Sequence, residues 1–189
     1  MLDFARLRQR MEEEKQNFYF VISGDKDFTK STSIFMEVDD KVTAVLAQDM
    51  VAHFCDKLLA NKVKAGKKII VVHADNNGAD MLAADYASHK GYQNEMISAD
   101  WEQFGNRAGW YRNEDLIAIP MRKPDKACVL FWDGEDKFTK NIIYNCYVYG
   151  MTLRVYNYKD KRWLKQEEIQ QIGAYERQMQ LMWKEKGGN

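Results

Sequence analysis

The chain has few of the residues that mark flexible linkers, disulfide frameworks and membrane spans. It contains 2 prolines and 11 glycines in 189 residues, too few for a long linker, so we expect a single domain over residues 1–189. A transmembrane helix needs about 18 apolar residues in a row. No apolar run in the chain is that long, so no membrane partner is expected. The three cysteines are an odd number in separate apolar segments, which predicts buried free thiols.

The chain also lacks an excess of charge of either sign. Lysine plus arginine and aspartate plus glutamate number 28 each, whereas a nucleic-acid binder needs clustered excess cation, so nucleic acid is not an expected partner. Residues 1–15 contain several acids and no apolar core of a secretory signal, which favours a cytoplasmic location. The three histidines are isolated and no His–Cys spacing fits zinc, so neither a metal ion nor another cofactor is expected.

The sequence does have a regular alternation of apolar runs and helical patterns. Five runs predict strands, at residues 18–23, 68–73, 92–97, 126–132 and 152–156. Strands that are apolar on both faces and alternate with helices are typical of a covered parallel sheet. We therefore predict an α/β fold, a Rossmann-like three-layer sandwich with a mainly parallel five-stranded sheet. Asp39 or Asp40 is expected to cap a helix that carries Val42, Val45 and Leu46 on its apolar face.

Two helices are expected to flank this core, which spans residues 18–156. Apolar residues at helical spacing predict an N-terminal helix over residues 2–15 and a C-terminal helix over residues 166–185. The second is rich in methionine and aromatic residues. It is expected either to pack on its own sheet or to bind a partner, and a homodimer is one form of that second alternative.

In sheets of this kind ligands bind at the carboxyl ends of the strands, so the loops that follow strands hold the candidate site. The first such loop contains Ser23, Gly24, Lys26, Asp27 and Phe28, the second His73, Asn77, Gly78 and Asp80, the third Trp101, Arg107, Arg112 and Asn113, and the fourth Asp133, Gly134 and Thr139. These residues are our predicted ligand-binding set, and the ligand is expected to be a small molecule.

Each loop has a functional and a structural interpretation. Arg107 and Arg112 are expected to hold an anionic group, since arginine forks onto phosphate or carboxylate, and Asn113 to orient a sugar or base. Alternatively, Arg112 pairs with a buried aspartate, Asp80 or Asp133, and braces the loops. Similarly, Thr139 either contacts the ligand or caps the helix that begins there.

In order along the chain, four stretches resemble the YspA-like branch of the SLOG superfamily. They are SGDKDF at residues 23–28, HADNNGAD at 73–80, ADW followed by G, AG and RN at 99–113, and FWDG at 131–134 with threonine at 139. The resemblance covers residues 18–156. This Rossmann-like group is related to the LOG phosphoribohydrolases and to the DNA-processing protein DprA. The resemblance implies a nucleotide or nucleotide-derived ligand at the strand ends.

The chain departs from the family pattern in ways that concern phosphate. In the second motif, this chain has Ala74 and Asp75 where the family has a pair of glycines, and Asn77 where the family has an arginine. In the fourth motif, Phe138 stands where the family has its last glycine. Larger side chains limit the approach of the backbone to a ligand, and the charge of Asp75 opposes a phosphate. We therefore expect either that phosphates are held differently here or that the ligand is less anionic.

A further departure concerns catalysis. The glutamate that serves N-glycosidic cleavage in the LOG enzymes would fall at Ile142, which can act neither as acid nor as base. The resemblance thus favours a binding protein that acts as a sensor, sequestering agent or regulatory subunit. Hydrolysis of a nucleotide N-glycosidic or phosphate bond remains an alternative, with Asp80, Asp133 or Glu114 as the carboxylate. A protein–protein interaction module with a decayed pocket is a third hypothesis.

Overall fold

The computed structural model describes residues 4–30, 32–38 and 41–185. The strands are β1 Asn17–Gly24, β2 Ser33–Val38, β3 Lys41–Leu46, β4 Lys68–Ala74, β5 Gln93–Ile97, β6 Lys126–Trp132, β7 Leu153–Asn157 and β8 Arg162–Trp163. The helices are α1 Phe4–Lys15, α2 Ala47–Lys64, α3 Ala79–Lys90, α4 Trp101–Phe104, α5 Ala108–Met121, α6 Lys137–Tyr149 and α7 Gln166–Glu185. None of these described helices is both long enough and apolar enough to cross a bilayer.

The predicted α/β class is confirmed, with one strand more than expected in the main sheet. Six strands lie in the order β5-β4-β1-β6-β7-β8. All neighbouring pairs are parallel except β7 and β8, where Tyr156 opposes Trp163 in an antiparallel pair. The chain places β4 and β5 on one side of β1 and then returns to place β6 and β7 on the other. The strand order therefore reverses between β1 and β6, where doubly wound sheets form their ligand crevice.

Each face of this sheet is covered by helices, which gives the three-layer arrangement. On β1, Phe18, Phe20 and Ile22 pack toward α2 and α3, whereas Tyr19 and Val21 pack toward α5 and α6. Successive side chains of a strand point to opposite faces, so a strand buried on both faces must be apolar at every position. This explains the uninterrupted apolar runs in the sequence.

The segment before α2 differs from the expectation. Val42, Val45 and Leu46 were expected on a helix, but β2 and β3 form an antiparallel hairpin and α2 begins only at Ala47. The expected caps, Asp39 and Asp40, lie outside the described residues. The β-branched residues of β3 favour extended backbone, which explains the result. Ile34 of the hairpin is buried against the α2 side of the core, so the hairpin is attached to the domain.

The two flanking helices differ in how they are attached. The C-terminal helix α7 has the expected bounds and packs on α6, where a Cβ at Gly173 would come within 2.5 Å of the Tyr147 side chain. Beyond this contact its residues Tyr175, Met179 and Trp183 are exposed. The N-terminal helix α1 is described from Phe4 onward and lies near the amino ends of the strands, where Glu14 accepts a hydrogen bond from the Tyr19 hydroxyl.

Candidate functional site

The loops at the carboxyl ends of the strands contact one another, and we call residues 23–29, 73–80, 98–113 and 132–139 the carboxyl edge. Gly24 pairs with Phe131, and a Cβ at Gly24 would lie 2.1 Å from the Phe131 carbonyl oxygen. A Cβ at Gly78 would lie 2.3 Å from the carbonyl oxygen of Asp25. That same oxygen accepts a hydrogen bond from the Ala79 N–H at 3.1 Å. The two glycines therefore allow the first loop to pack against β6 and against the start of α3.

A buried aromatic ring and a buried carboxylate hold the first loop in place. The Phe28 ring is fully buried between the rings of Phe131 and Tyr158, with centroid distances of 5.1 and 4.7 Å. The Asp25 carboxylate accepts hydrogen bonds from the Tyr158 hydroxyl at 2.6 Å and from the Asp27 N–H at 2.9 Å. Burial raises the pKa of Asp25, and these two hydrogen bonds oppose the effect. Phe28 therefore packs in the core and anchors the loop. Lys26 and Asp27, by contrast, are exposed.

Arg112 is the buried cation of the carboxyl edge, with 7% of its surface exposed. Its Nη1 donates to Asp75 Oδ1 at 3.0 Å and its Nη2 to Asn113 Oδ1 at 3.1 Å. The expectation that Arg112 pairs with Asp80 or Asp133 was wrong. Its partner is Asp75, which follows β4 and lies within reach of the first turns of α5. The Arg112 Nε has no hydrogen-bond partner among the described residues.

Asn113 joins α5 to α6 through buried hydrogen bonds. Its Nδ2 donates to the Phe138 carbonyl and to Asn141 Oδ1, both at 3.2 Å. Thr139 lies between these two acceptors in the chain, is completely buried, and has no partner for its hydroxyl in the described part of the protein. The helix is capped by Asp136 instead, whose carboxylate accepts the Thr139 N–H at 2.6 Å. The capping role expected for Thr139 was therefore wrong, because α6 begins two residues earlier than expected.

His73 and Asp80 form the inner part of the carboxyl edge. The His73 Nδ1 lies 2.7 Å from the carbonyl oxygen of Ala74, so it carries the proton, and the buried Nε2 has no partner within the ranges described. Asp80 Oδ1 accepts the Ala74 N–H at 2.9 Å. Burial raises the pKa of Asp80 to about 6, although the hydrogen bond from the Ala74 N–H and the charge of Arg112 favour its ionised form.

The raised pKa predicts how the stability contributed by Asp80 depends on pH. Because the pKa is about 6 in the folded chain and about 4 in an unfolded one, folding favours the protonated carboxyl. Its contribution is therefore present below pH 4 and is lost as the pH rises through 6, a change on the order of 3 kcal/mol. Asp80→Asn keeps an acceptor for the Ala74 N–H but cannot ionise. We expect the free energy of unfolding of this variant, relative to the parent, to rise by about 2–3 kcal/mol between pH 4 and pH 7 in urea titrations.

Asp133→Asn provides a control of opposite sign. Burial opposes ionisation of Asp133, but the N–H groups of Asp136 and Glu135 and the Lys159 ammonium hold its pKa below its ordinary value. Its contribution to stability is therefore present at neutral pH and is lost as the pH falls below about 4. A stability difference between Asp80→Asn and the parent that stays constant from pH 4 to pH 7 would contradict the assignment of Asp80.

The remaining predicted residues lie toward the outside of the carboxyl edge. Trp101 is 58% exposed at the start of α4, and Asn77 and Arg107 are also exposed. Gly134 has a positive φ of +94° and lies beside Asn157. The structure thus brings His73, Asp80, Arg112, Asn113 and Thr139 together in the interior and leaves the tryptophan and the second arginine at the rim.

Sequence reasoning missed three residues that build this edge. Asp75 was expected to oppose a phosphate and to satisfy N–H groups at the start of the next helix, but not to pair with Arg112. Tyr158 was not considered, and Asn141 was not distinguished from the other residues of its helix. Asn141 and Asn145 stand at helical spacing among the apolar residues of α6, and that pattern could have indicated an inward polar pair. Tyr158 bonds to a residue 133 positions away, and no local pattern indicates such a contact.

No family model matches the chain, and neither a curated protein nor a solved structure does. The resemblance to the SLOG superfamily therefore stays a prediction.

Proposed function

We propose that this chain binds a nucleotide or nucleotide-derived small molecule at the carboxyl edge and acts as a sensor, sequestering or regulatory protein. The observation that carries the proposal is a set of four buried polar atoms of the carboxyl edge without hydrogen-bond partners among the described residues: Ser23 Oγ, His73 Nε2, Arg112 Nε and Thr139 Oγ1. Buried polar atoms are nearly always hydrogen-bonded, and each unpaired one costs about 1–3 kcal/mol. Such atoms are common where a ligand supplies the missing partner.

The position of these atoms supports the same proposal. Arg112 lies close enough to Asp80 to affect its pKa, and Asn113 bonds to Arg112 as well as to Phe138 and Asn141, between which Thr139 lies in the chain. Ser23 lies at the end of β1 and Thr139 lies in the helix that follows β6, where the strand order reverses, and His73 lies at the same end of β4, the next strand of the sheet. A nucleoside unit has both hydroxyl groups and base edges, which can accept from an arginine N–H and donate to an imidazole nitrogen.

No comparable observation favours the hydrolase alternative. Ile142, at the position where the resemblance places the glutamate of the LOG enzymes, is buried in the core between the sheet and α6. Its side chain is therefore chemically inert and packed among apolar residues.

A thermal-shift panel tests the proposed function. It contains the four ribonucleosides, their 5′-monophosphates, cyclic AMP, ADP-ribose and NAD. We expect at least one compound, supplied at about a hundred times its Kd, to raise the Tm by several degrees. Arg112→Lys retains a cation for Asp75 but loses the planar fork and Nε, so it is expected to weaken binding at least tenfold.

The matched control for this variant is Arg122→Lys, at the opposite end of the same helix. It makes the same chemical change away from the carboxyl edge, and binding is expected to stay as in the parent. The proposed function is wrong if no compound raises the Tm at millimolar concentration, or if Arg112→Lys binds as tightly as Arg122→Lys.

A further inference from the structure

Several backbone N–H groups at the carboxyl edge are bonded to aspartates of the chain itself. Asp75 Oδ2 accepts the Ala99 N–H at 2.9 Å, and Asp80 accepts the Ala74 N–H at the same distance. In the fourth loop, Asp133 accepts from Glu135 and Asp136 at 2.7 and 2.8 Å. Asp136 in turn accepts from Thr139, and Asp25 accepts from Asp27. Phosphate sites in Rossmann-like folds use N–H groups of these loops and of the helices that follow them. Here the donors named above already hold carboxylates, whereas the first turn of α3 has no side-chain cap.

Asp75 has the surroundings that a bound oxyanion would have. One of its carboxylate oxygens receives the guanidinium of Arg112 at 3.0 Å, and the other receives the backbone N–H of Ala99 in the third loop. A guanidinium and a backbone N–H around one anion form the usual donor set for phosphate. The carboxylate of Asp75 therefore occupies the donors that a ligand phosphate at this position would need.

The charges around these donors also oppose an additional anion. Arg112 is paired with Asp75, and Lys159 is paired with Asp133 at 3.0 Å and Glu135 at 3.5 Å. Asp133 and Asp136 lie near Asp25, and their charges add to the effect of burial in raising the pKa of Asp25. A phosphate brought to this edge would face carboxylates whose nearest cations are already neutralised.

The polar groups that remain without partners suit an uncharged ligand. Within the described residues they are one N–H of Arg112, the hydroxyls of Ser23 and Thr139 and the Nε2 of His73, which together offer a donor, two groups that can donate or accept, and an acceptor. Sugar hydroxyls and base edges complement these groups without bringing charge.

We propose that the carboxyl edge selects an uncharged nucleoside over its phosphorylated forms, and that Asp75 is the residue that determines this selectivity. The inference rests on the proposed function and narrows its ligand class. Because Asp75 already neutralises Arg112 and occupies the Ala99 N–H, the monophosphate gains no counter-charge on binding and is repelled by the neighbouring aspartates. The nucleoside does not meet this repulsion.

Isothermal titration calorimetry with each ribonucleoside and its 5′-monophosphate tests the proposal. The wild-type protein is expected to bind one nucleoside at least tenfold more tightly than the corresponding monophosphate. Asp75→Asn removes the charge and frees the Arg112 guanidinium for a ligand phosphate. The ratio of the two Kd values is then expected to shift toward the monophosphate by at least tenfold.

Asp100→Asn is the matched control. Asp100 accepts the Gln103 N–H at 2.9 Å as the cap of α4, and asparagine caps helices equally well. This variant therefore removes one negative charge from the neighbouring third loop without touching Arg112, and the Kd ratio is expected to change less than threefold. The Tm of both variants is recorded to confirm that they fold.

The outcomes separate this inference from the proposed function. If the wild-type protein binds a monophosphate, or another phosphorylated compound of the thermal-shift panel, more tightly than any nucleoside, the selectivity is wrong and the proposed function stands. The role of Asp75 is wrong if Asp75→Asn changes the ratio no more than Asp100→Asn does. If neither nucleosides nor phosphorylated compounds bind to any of the three proteins, the proposed function itself fails.

Discussion

Gly78→Ala is expected to lower the free energy of unfolding by about 3–5 kcal/mol, close to the whole stability of many domains of this size. Two physical causes add in the same direction. The backbone of Gly78, with φ of 69° and ψ of −125°, has a conformation that only glycine adopts readily. In addition, the new Cβ would lie 2.3–2.4 Å from backbone atoms of Asp25 and Lys26, which cannot move without displacing the first loop.

Gly91→Ala at the other end of α3 is the control for this variant. Gly91 also has a positive φ, of 66°, but no atom lies within 4 Å of its ideal Cβ. Its substitution is expected to lower the free energy of unfolding by about 1 kcal/mol, because alanine is less stable than glycine in the left-handed backbone region. Urea unfolding of both variants, followed by circular dichroism, gives the two values. Equal losses of stability would show that the first loop does not approach Gly78 as closely as described.

Phe28→Ala is expected to lower the free energy of unfolding by about 3–5 kcal/mol. The ring is completely buried, and its removal leaves a cavity between Phe131 and Tyr158. The same ring stack holds Tyr158 where its hydroxyl donates to Asp25. We therefore expect the first loop to loosen as well, which hydrogen exchange at the amides of residues 25–28 would detect as faster exchange.

Phe104→Ala is a suitable comparison, because this phenylalanine also lies at the carboxyl edge and also contacts an aromatic ring, that of Tyr111 at 4.5 Å. It is 38% exposed, however, so its loss is expected to cost about 1 kcal/mol or less and to leave exchange in the first loop unchanged. If Phe28→Ala lowers the free energy of unfolding no more than Phe104→Ala does, the anchoring role of the Phe28 ring is wrong.

The main strands could be predicted from the sequence because their burial leaves a simple pattern. Strands β1, β4 and β6 are covered on both faces, so they are continuous apolar runs that local inspection finds to within a residue or two. The hairpin was missed because β3 leads into α2 without a break, so its apolar residues looked like the first turn of that helix. Strand β8 was missed because two residues, Arg162 and Trp163, are too short a segment to show any periodicity.

The candidate site was predictable in position but not in its internal contacts. Strand-end loops converge in any parallel sheet, so the sequence sufficed to place Gly24, Gly78 and Gly134 at one edge. The choice of Asp75 as the partner of Arg112 depends on how far α5 lies along β4, a distance that no local pattern encodes. For the same reason, the sequence could not show that Phe28 turns inward while Asp27 turns outward.

The aspartates of the carboxyl edge can be replaced so that the charge of the loops changes while their shape does not. Each of them holds a loop by accepting an N–H bond, and the side-chain carbonyl of asparagine can accept such a bond as well. Successive exchanges of aspartate for asparagine can therefore change the net charge of the edge in single steps while the loops keep their form. In an evolving lineage, the charge of this edge can therefore change step by step while the protein stays folded.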